Sequence, residues 1–367
     1  MLQYRFKNQG EEHMNVKHAR FERIVVDSET PGVLNDVCLL ADVNGDGHAD
    51  IIIGGKRGEG NIVWYEYPDW RRHTIGTGIL ESGGATLDIS GNGLPDLICG
   101  QPAFTGGGKE LYWFENPGKA GAPWQRYLIC DGYRKYHDQH VADVDGDGEA
   151  EILFASQVAE VVGYYKIPPD PRQSPWPGEY RHIVAEGLVA EGLDCADVDG
   201  DGNAEIIAGP NYFKRGPNGW SRRVINEDFQ LTRARAGDLD GDGKHEIVLA
   251  EGESHPGRLA WFSAYPDFTM HLLADDLYNP HSLELADFNG NGLPDIMVAE
   301  MNRDENPNPK VIVFYNKGNG EFERVTVAEG IGSHDNRVGI IGDTRYPSIV
   351  IKPFKPGRSV EILLNRT

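Results

Sequence analysis

One acid-and-glycine motif recurs along the 367-residue chain, and its period constrains the fold more than any other feature. It reads ADVNGDGHADIIIGG from Ala41, LDISGNGLPDLICGQ from Leu87, ADVDGDGEAEILFAS from Ala142 and ADVDGDGNAEIIAGP from Ala196. GDLDGDGKHEIVLAE from Gly237 and ADFNGNGLPDIMVAE from Ala286 follow, and VGIIGDTRYPSIVIKP from Val338 keeps the frame around Ile340 without the acids. Successive copies lie 41 to 55 residues apart, a spacing in the range of propeller blades.

Each copy sits in the same order of elements. A short apolar strand enters the motif, a β-branched strand such as DIIIGG leaves it, and an aromatic strand such as IVWYEYP, LYWFENP or LAWFSAYP comes next. A fourth strand ends the unit, as in RRHTIG, QRYLIC, YRHIVAEG and FERVTVAEG. Four short strands joined by tight turns make one blade, and closing the blades in a ring removes exposed sheet edges. The expected fold is all-β, a seven-bladed β-propeller over residues 16–367 behind a tail of residues 1–15. The last repeat stops after its third strand, SVEILLNRT, whereas HARFERIVV near the start resembles an orphan fourth strand. Residues 16–27 are therefore expected to complete the blade formed by 334–367. A β-solenoid would ask for shorter, more uniform repeats and no orphan strand.

Composition narrows the function. Gly 46 and Pro 22 agree with many turns, and the formal net charge of −22 argues against a nucleic-acid partner, since phosphate binding needs a basic surface. Cys38, Cys99, Cys130 and Cys195 form no CxxC pair and read as buried thiols. No apolar stretch has the length of a signal-peptide core or a membrane span, so a cytoplasmic protein without a membrane partner is expected. Oligomeric state leaves no trace in the sequence.

Within the motif, oxygen-bearing side chains alternate along a tight turn, and a carboxylate eight residues after the first closes it. Hard oxygen ligands around glycine turns suit Ca²⁺, so several structural calcium sites are expected. The strongest sets are Asp143, Asp145, Asp147 with Glu151; Asp197, Asp199, Asp201 with Glu205; and Asp238, Asp240, Asp242 with Glu246. Asp42, Asn44, Asp46 and Asp50 form a fourth. Asp88, Ser90, Asn92 and Asp96 carry less charge, as do Asp287, Asn289, Asn291 and Asp295; these bind more weakly or are held by hydrogen bonds alone. The simpler alternative makes all of them turns stabilised by side chain to backbone hydrogen bonds. The loops are similar to FG-GAP and VCBS-type repeats, the calcium-loop blades of integrin-like propellers and of many bacterial enzymes. That resemblance covers nearly the whole chain and implies the fold, whereas function must be read from what the repeats do not share.

Six residues before each motif's first acid, or its equivalent at Ile340, stand Asp36, Ser82, His137, Glu191, Thr232, His281 and His334, all polar and three of them histidine. Two residues before it stand Leu40, Thr86, Val141, Cys195, Ala236, Leu285 and Val338, nearly all apolar. The polar set is thus expected to form a ring at the propeller axis, with a second ring, three residues before the acid, that includes His140, Arg235 and Arg337. Residues after each second strand belong to the same rim, among them Lys56, Gln157, Tyr212, Glu251 and Glu300, with Tyr136 and Arg233 nearby. His137, His140, His281, His334, Glu300, Arg233 and Arg235 are the catalytic candidates. Asp36, Lys56, Tyr136, Gln157, Tyr212, Glu251 and Arg337 are the substrate-binding ones.

No GxSxG elbow, HExxH helix or phosphate-binding loop occurs. Histidines among arginines suit removal of a proton beside a carbonyl, with a cation or metal stabilising the enolate, which is β-elimination. Three histidines with Glu300 could hold one divalent metal, or act without one. The repeats, the aromatic third strands and the polar mouth resemble the propeller domain of aldos-2-ulose (1,5-anhydrofructose) dehydratases, and also propeller polysaccharide lyases acting on uronate glycans. The resemblance implies a carbon–oxygen lyase acting on a small saccharide. It does not extend to the cupin region of those dehydratases, so no second isomerase activity is implied. The competing class is a non-enzymatic, calcium-dependent propeller that binds a glycan or a protein at its mouth.

Overall fold

The apolar runs on either side of each glycine loop pair as antiparallel hairpins, because the loop's alternate oxygens accept its own backbone N–H groups and turn the chain back. In the first loop, Asp42 accepts from Gly45, Asp46 and Gly47 at 2.8, 3.0 and 2.8 Å. Gly45 and Gly47 take φ of 76° and 88° there, a conformation that side-chain-bearing residues rarely adopt. The computed structural model describes residues 17–103, 108–119, 121–301, 306–353 and 357–367, so the expected tail of residues 1–15 lies outside them.

Seven four-stranded antiparallel sheets result. Blades 1 to 7 begin with the inner strands Val33–Ala41, Ala85–Leu87, Tyr136–Ala142, Leu193–Ala196, Thr232–Gly237, Ser282–Ala286 and Arg337–Gly339. The second strands, such as Glu151–Ser156 and Glu246–Glu251, are buried at every residue, since neighbouring blades cover both of their faces. Their β-branched, non-alternating sequences follow from that burial. Outer strands such as Arg71–Gly76 are largely exposed and polar.

Each interface between consecutive blades has its own apolar cluster. Between blades 7 and 1, Cys38, Ile51, Ile53 and Val63 pack against Ile341, Val350, Val360 and Ile362, so the ring is continuous. The last sheet takes its outer strand from the start of the chain: Phe21–Asp27 pairs antiparallel with Val360–Asn365, Ile24 opposite Ile362. Third-strand aromatic rings are covered by fourth-strand rings. Trp261 stacks on His271 at 3.8 Å, Trp64 on His73 at 4.3 Å and Tyr164 on His182 at 4.8 Å, which assigns these histidines to blade packing.

Candidate functional site at the propeller axis

The seven polar ring residues, Asp36, Ser82, His137, Glu191, Thr232, His281 and His334, are all buried, none more than 5% exposed. Irregular backbone aims them inward. In blades 1 and 3 the strand pairing slips at Asp36 and His137, and a bulged residue is re-aimed in this way. In the other blades a left-handed residue stands within two positions: Gly83, Gly192, Leu231 (φ 47°), Asn279 (φ 44°) and Asp335 (φ 62°). Conformations of this kind cost of order 1–3 kcal/mol when the residue is not glycine, and they gather at functional sites. Gly192 has a second reason to be glycine, because a Cβ there would meet the Ala234 nitrogen at 2.6 Å.

The ring brings imidazoles and carboxylates together. His137 Nδ1 lies 2.7 Å from Asp138 Oδ2, which leaves Nε2 facing Glu191 Oε1 at 3.6 Å. His281 Nε2 is 3.9 Å from Glu191 Oε2 and 3.5 Å from Glu253 Oε1. His281 stacks on His334 at 4.0 Å, and His334 Nδ1 is 3.6 Å from Asp36 Oδ1. The Lys56 ammonium bridges Asp36 and Glu81, 2.8 Å from the latter. Among the described residues, both His281 nitrogens, Glu191 Oε2, Glu81 Oε2, Ser82 Oγ, Thr232 Oγ1 and the Asn336 amide are buried with no hydrogen-bond partner. Each such group costs roughly 1–3 kcal/mol unless an ion, water or ligand meets it.

Burial drives His281 and His334 well below the usual histidine range, helped by Arg233 near the first and by His281 and Lys352 near the second. Burial opposes the charge on His137 too, but the carboxylates of Glu191 and Asp138 outweigh it and raise its pKa. Beneath the ring runs a chain of ion pairs. Arg233 donates to Asp138 at 2.7 Å and to Asp335 at 3.4 Å, Arg337 joins Asp335 to Glu284, and Arg235 grips Glu284 with two bonds near 3.0 Å. His140 belongs to this second tier, a third exposed and 3.7 Å from Asp194.

Four of the expected residues are used elsewhere. Tyr136 packs between blades 2 and 3 against Phe154 and Tyr165, and Tyr212 packs between blades 4 and 5, its hydroxyl 3.2 Å from Asp199 in the glycine loop. Glu251 is clamped by Arg258 through two bonds of 2.9 and 2.7 Å. Glu300 accepts from the backbone of Tyr278 and Lys310 at 3.0 Å each, so it anchors loops rather than joining the histidines. Its expected place beside them is taken by Glu191, and His137, Glu191 and His281 offer ligand atoms all within 4.8 Å of one another. Gln157 donates to Glu191, which places it beside the ring. Asp138, Glu81 and Asp335 are further members that sequence reasoning missed, although each adjoins a ring residue in the chain.

In the glycine loops, the first and last acids are spent on the turn. Asp287 accepts from Gly290, Asn291 and Gly292, and Asp295 accepts from Phe288 and Asn316. Asn92 and Asn291 donate their amides to the carbonyls of Asn116 and Asn316, both at 2.8 Å, so these two loops are closed by hydrogen bonds. In the first loop, Asn44 donates to Asp46 at 3.1 Å. The acids of the remaining three loops cluster: Asp143, Asp145, Asp147 and Glu151; Asp197, Asp199 and Glu205, with Asp201 beside them; and Asp238, Asp240 and Glu246, with Asp242 next in the turn.

Comparison with known proteins fits this architecture. The FG-GAP-like repeat description matches residues 42–99, 88–154 and 238–298. Aldos-2-ulose dehydratase of Phanerodontia chrysosporium is 30% identical over 153 residues, which cover 36% of this chain and only 17% of that protein. Among solved structures, BBS1N in complex with ARL6DN superposes with a TM-score of 0.61 at 10% identity, covering 94% of this chain and 96% of that one. The V. cholerae biofilm matrix protein Bap1 gives 0.51 at 11% identity, over 97% and 89%. At such identities these two share the fold alone.

Proposed function

For this seven-bladed propeller of FG-GAP-like repeats, we propose a carbon–oxygen lyase that dehydrates an uncharged keto-sugar at an axial divalent metal centre. The observation that carries the reading is the set His137, Glu191 and His281, with His281 Nε2 and Glu191 Oε2 3.9 Å apart and neither of them hydrogen-bonded. The sugar-active relative supports the reaction class, although the likeness spans only part of each protein.

His137, Glu191 and His281 would hold the metal, which would polarise a substrate carbonyl as a Lewis acid. Asp138 fixes the His137 ring through Nδ1, the outer partner that a ligating histidine needs. His334, uncharged because burial disfavours its imidazolium, would take the proton next to the carbonyl, with Asp36 Oδ1 3.6 Å away to balance the charge it gains. Asp36, whose pKa burial raises, shares the Lys56 ammonium with Glu81 and is suited to protonate the departing hydroxyl. Ser82 Oγ, Thr232 Oγ1 and Asn336 have open hydrogen-bonding capacity for sugar hydroxyls. Arg233, Arg235 and Arg337 are each paired with a carboxylate, so none of these three is left to clamp a uronate; among the described residues this favours a neutral sugar over a uronate glycan.

The test is metal analysis of the purified protein followed by incubation with 1,5-anhydrofructose and, separately, with uronate oligosaccharides, read by enone absorbance and mass. Loss of water from the keto-sugar is expected. His281→Ala and Glu191→Gln should each lose the axial metal and at least about 100-fold in rate while remaining folded. Turnover of the uronate panel alone would overturn the assignment of substrate charge. Binding without turnover in either panel would make the protein a sugar-binding module.

A further inference from the structure

Residues opposite the closing acid of each glycine loop differ in a way that decides what neutralises it. Ile152 pairs with Tyr165 and Ile206 with Phe213, so the next residues, Lys166 and Lys214, lie opposite Glu151 and Glu205. The Lys166 ammonium sits 2.5 Å from Asp145, 2.6 Å from Asp147 and 3.8 Å from Glu151. In the next blade the Lys214 ammonium contacts Asp199 and lies 2.6 Å from Asp201 and 3.6 Å from Glu205. Both ammonium groups thus occupy the centre of the acid set, where a divalent ion would have to coordinate. Arg215 adds a second cation, its Nη2 3.9 Å from Asp145 Oδ2. At the equivalent position the fifth blade has Ser263, following Phe262 opposite Ile247, and no lysine reaches Asp240 or Asp242 among the described residues.

We infer that the third and fourth glycine loops carry a built-in cation, Lys166 and Lys214, and are closed to calcium despite having full sets of acids. The residues present do not fit a Ca²⁺ ion there. Calcium needs six to eight oxygens close around it, and an ammonium at the centre both repels the ion and holds three of those acids. An ammonium with three N–H donors matches three carboxylates, and its stem lies along the blade, so the charge is delivered without an ion from solution. Acid count and calcium demand are therefore uncoupled in this propeller.

Equilibrium dialysis with radioactive calcium compares the wild type with the Lys166→Met/Lys214→Met protein, which keeps the stems and removes the charges. Two more ions per chain are expected in the double variant, together with a calcium-dependent rise in melting temperature larger than in the wild type. Equal stoichiometry would overturn the inference. A second measurement needs no variant: acetylation of wild-type lysines, read by mass spectrometry in chelator and in millimolar calcium. Lys166 and Lys214 should react more slowly than exposed Lys119 and Lys244, at rates indifferent to calcium. Acceleration of either lysine by calcium would mean that the ion displaces it, and would overturn the inference even if the double variant failed to fold.

Discussion

Arg233 shows what a single residue does at the axis. Its guanidinium is buried between Asp138 and Asp335; against the opposing effect of burial it holds Asp138 well below the usual carboxylate range, and behind Arg337 it helps to hold Asp335 low. Removing one partner from such a buried set strands the others, at a cost of about 3–5 kcal/mol. Arg233→Met is therefore expected to lower unfolding stability by that amount in urea, whereas Arg71→Met, on an exposed pair, should shift it by less than about 1 kcal/mol. Equal effects would show that the axial network is not fully desolvated. The ring itself was legible in the sequence, because equivalent positions in seven repeats must converge when the ring closes. Tyr136 and Asp138 both adjoin His137, and the slip in strand pairing there sends the first into the blade interface and the second to the axis, a difference that simple alternation along a strand does not encode. Glu251 and Glu300 could not be excluded either. Their partners, Arg258 and Lys310 at the start of third strands and Tyr278 in the loop before His281, are brought to them by the way the connecting segments fold back, which no local pattern encodes. Glu191 stood in the polar ring from the start, but its role depends on the distances to two histidines in other blades.

At the scale of the glycine loop, the repeating acids serve three different ends. They turn the chain, accept a lysine, or meet a side-chain amide, and only the first use could be read from their spacing. The closing carboxylates also carry a pH signature. Burial raises Asp50 and Asp295 to about 7 and Asp96 to about 6, although each accepts backbone hydrogen bonds that act in the opposite direction. An acid whose folded pKa lies above its unfolded one contributes stability that is complete below about pH 4 and is lost as pH rises through the folded value. Asp138 and Asp335, held low, are constant over this window. These acids should therefore favour the fold at pH 5 over pH 8 in urea unfolding, by up to about 1.4 kcal/mol per group for each unit of raised pKa inside that window, whereas His281 and His334, driven low by burial, oppose them below about pH 6.5. Asp295→Asn should shrink the difference. An Asp295→Asn protein with the same pH dependence as the wild type would show that this carboxylate stays charged in the fold.

For the molecule as a whole, closure depends on Phe21–Asp27 lying along Val360–Asn365. Deleting residues 1–27 would leave Val360–Asn365 as an open edge and expose Ile362 and Leu364, and edges of that kind recruit other chains. The deleted protein should melt at a lower temperature and scatter light as a soluble oligomer or aggregate, and a synthetic peptide of residues 17–29 should reverse both. An unchanged melting temperature would show that the seven blades hold without the seam. The number of blades and their strand order were legible because the motif supplies a register every 41 to 55 residues. The seam has a consequence for biosynthesis. Asp36 and His334 face each other across it, so a nascent chain keeps an open arc with an unassembled centre until residues 360–365 have left the ribosome. A chain released before its seventh blade therefore leaves the axial ring open, without His334 to meet Asp36.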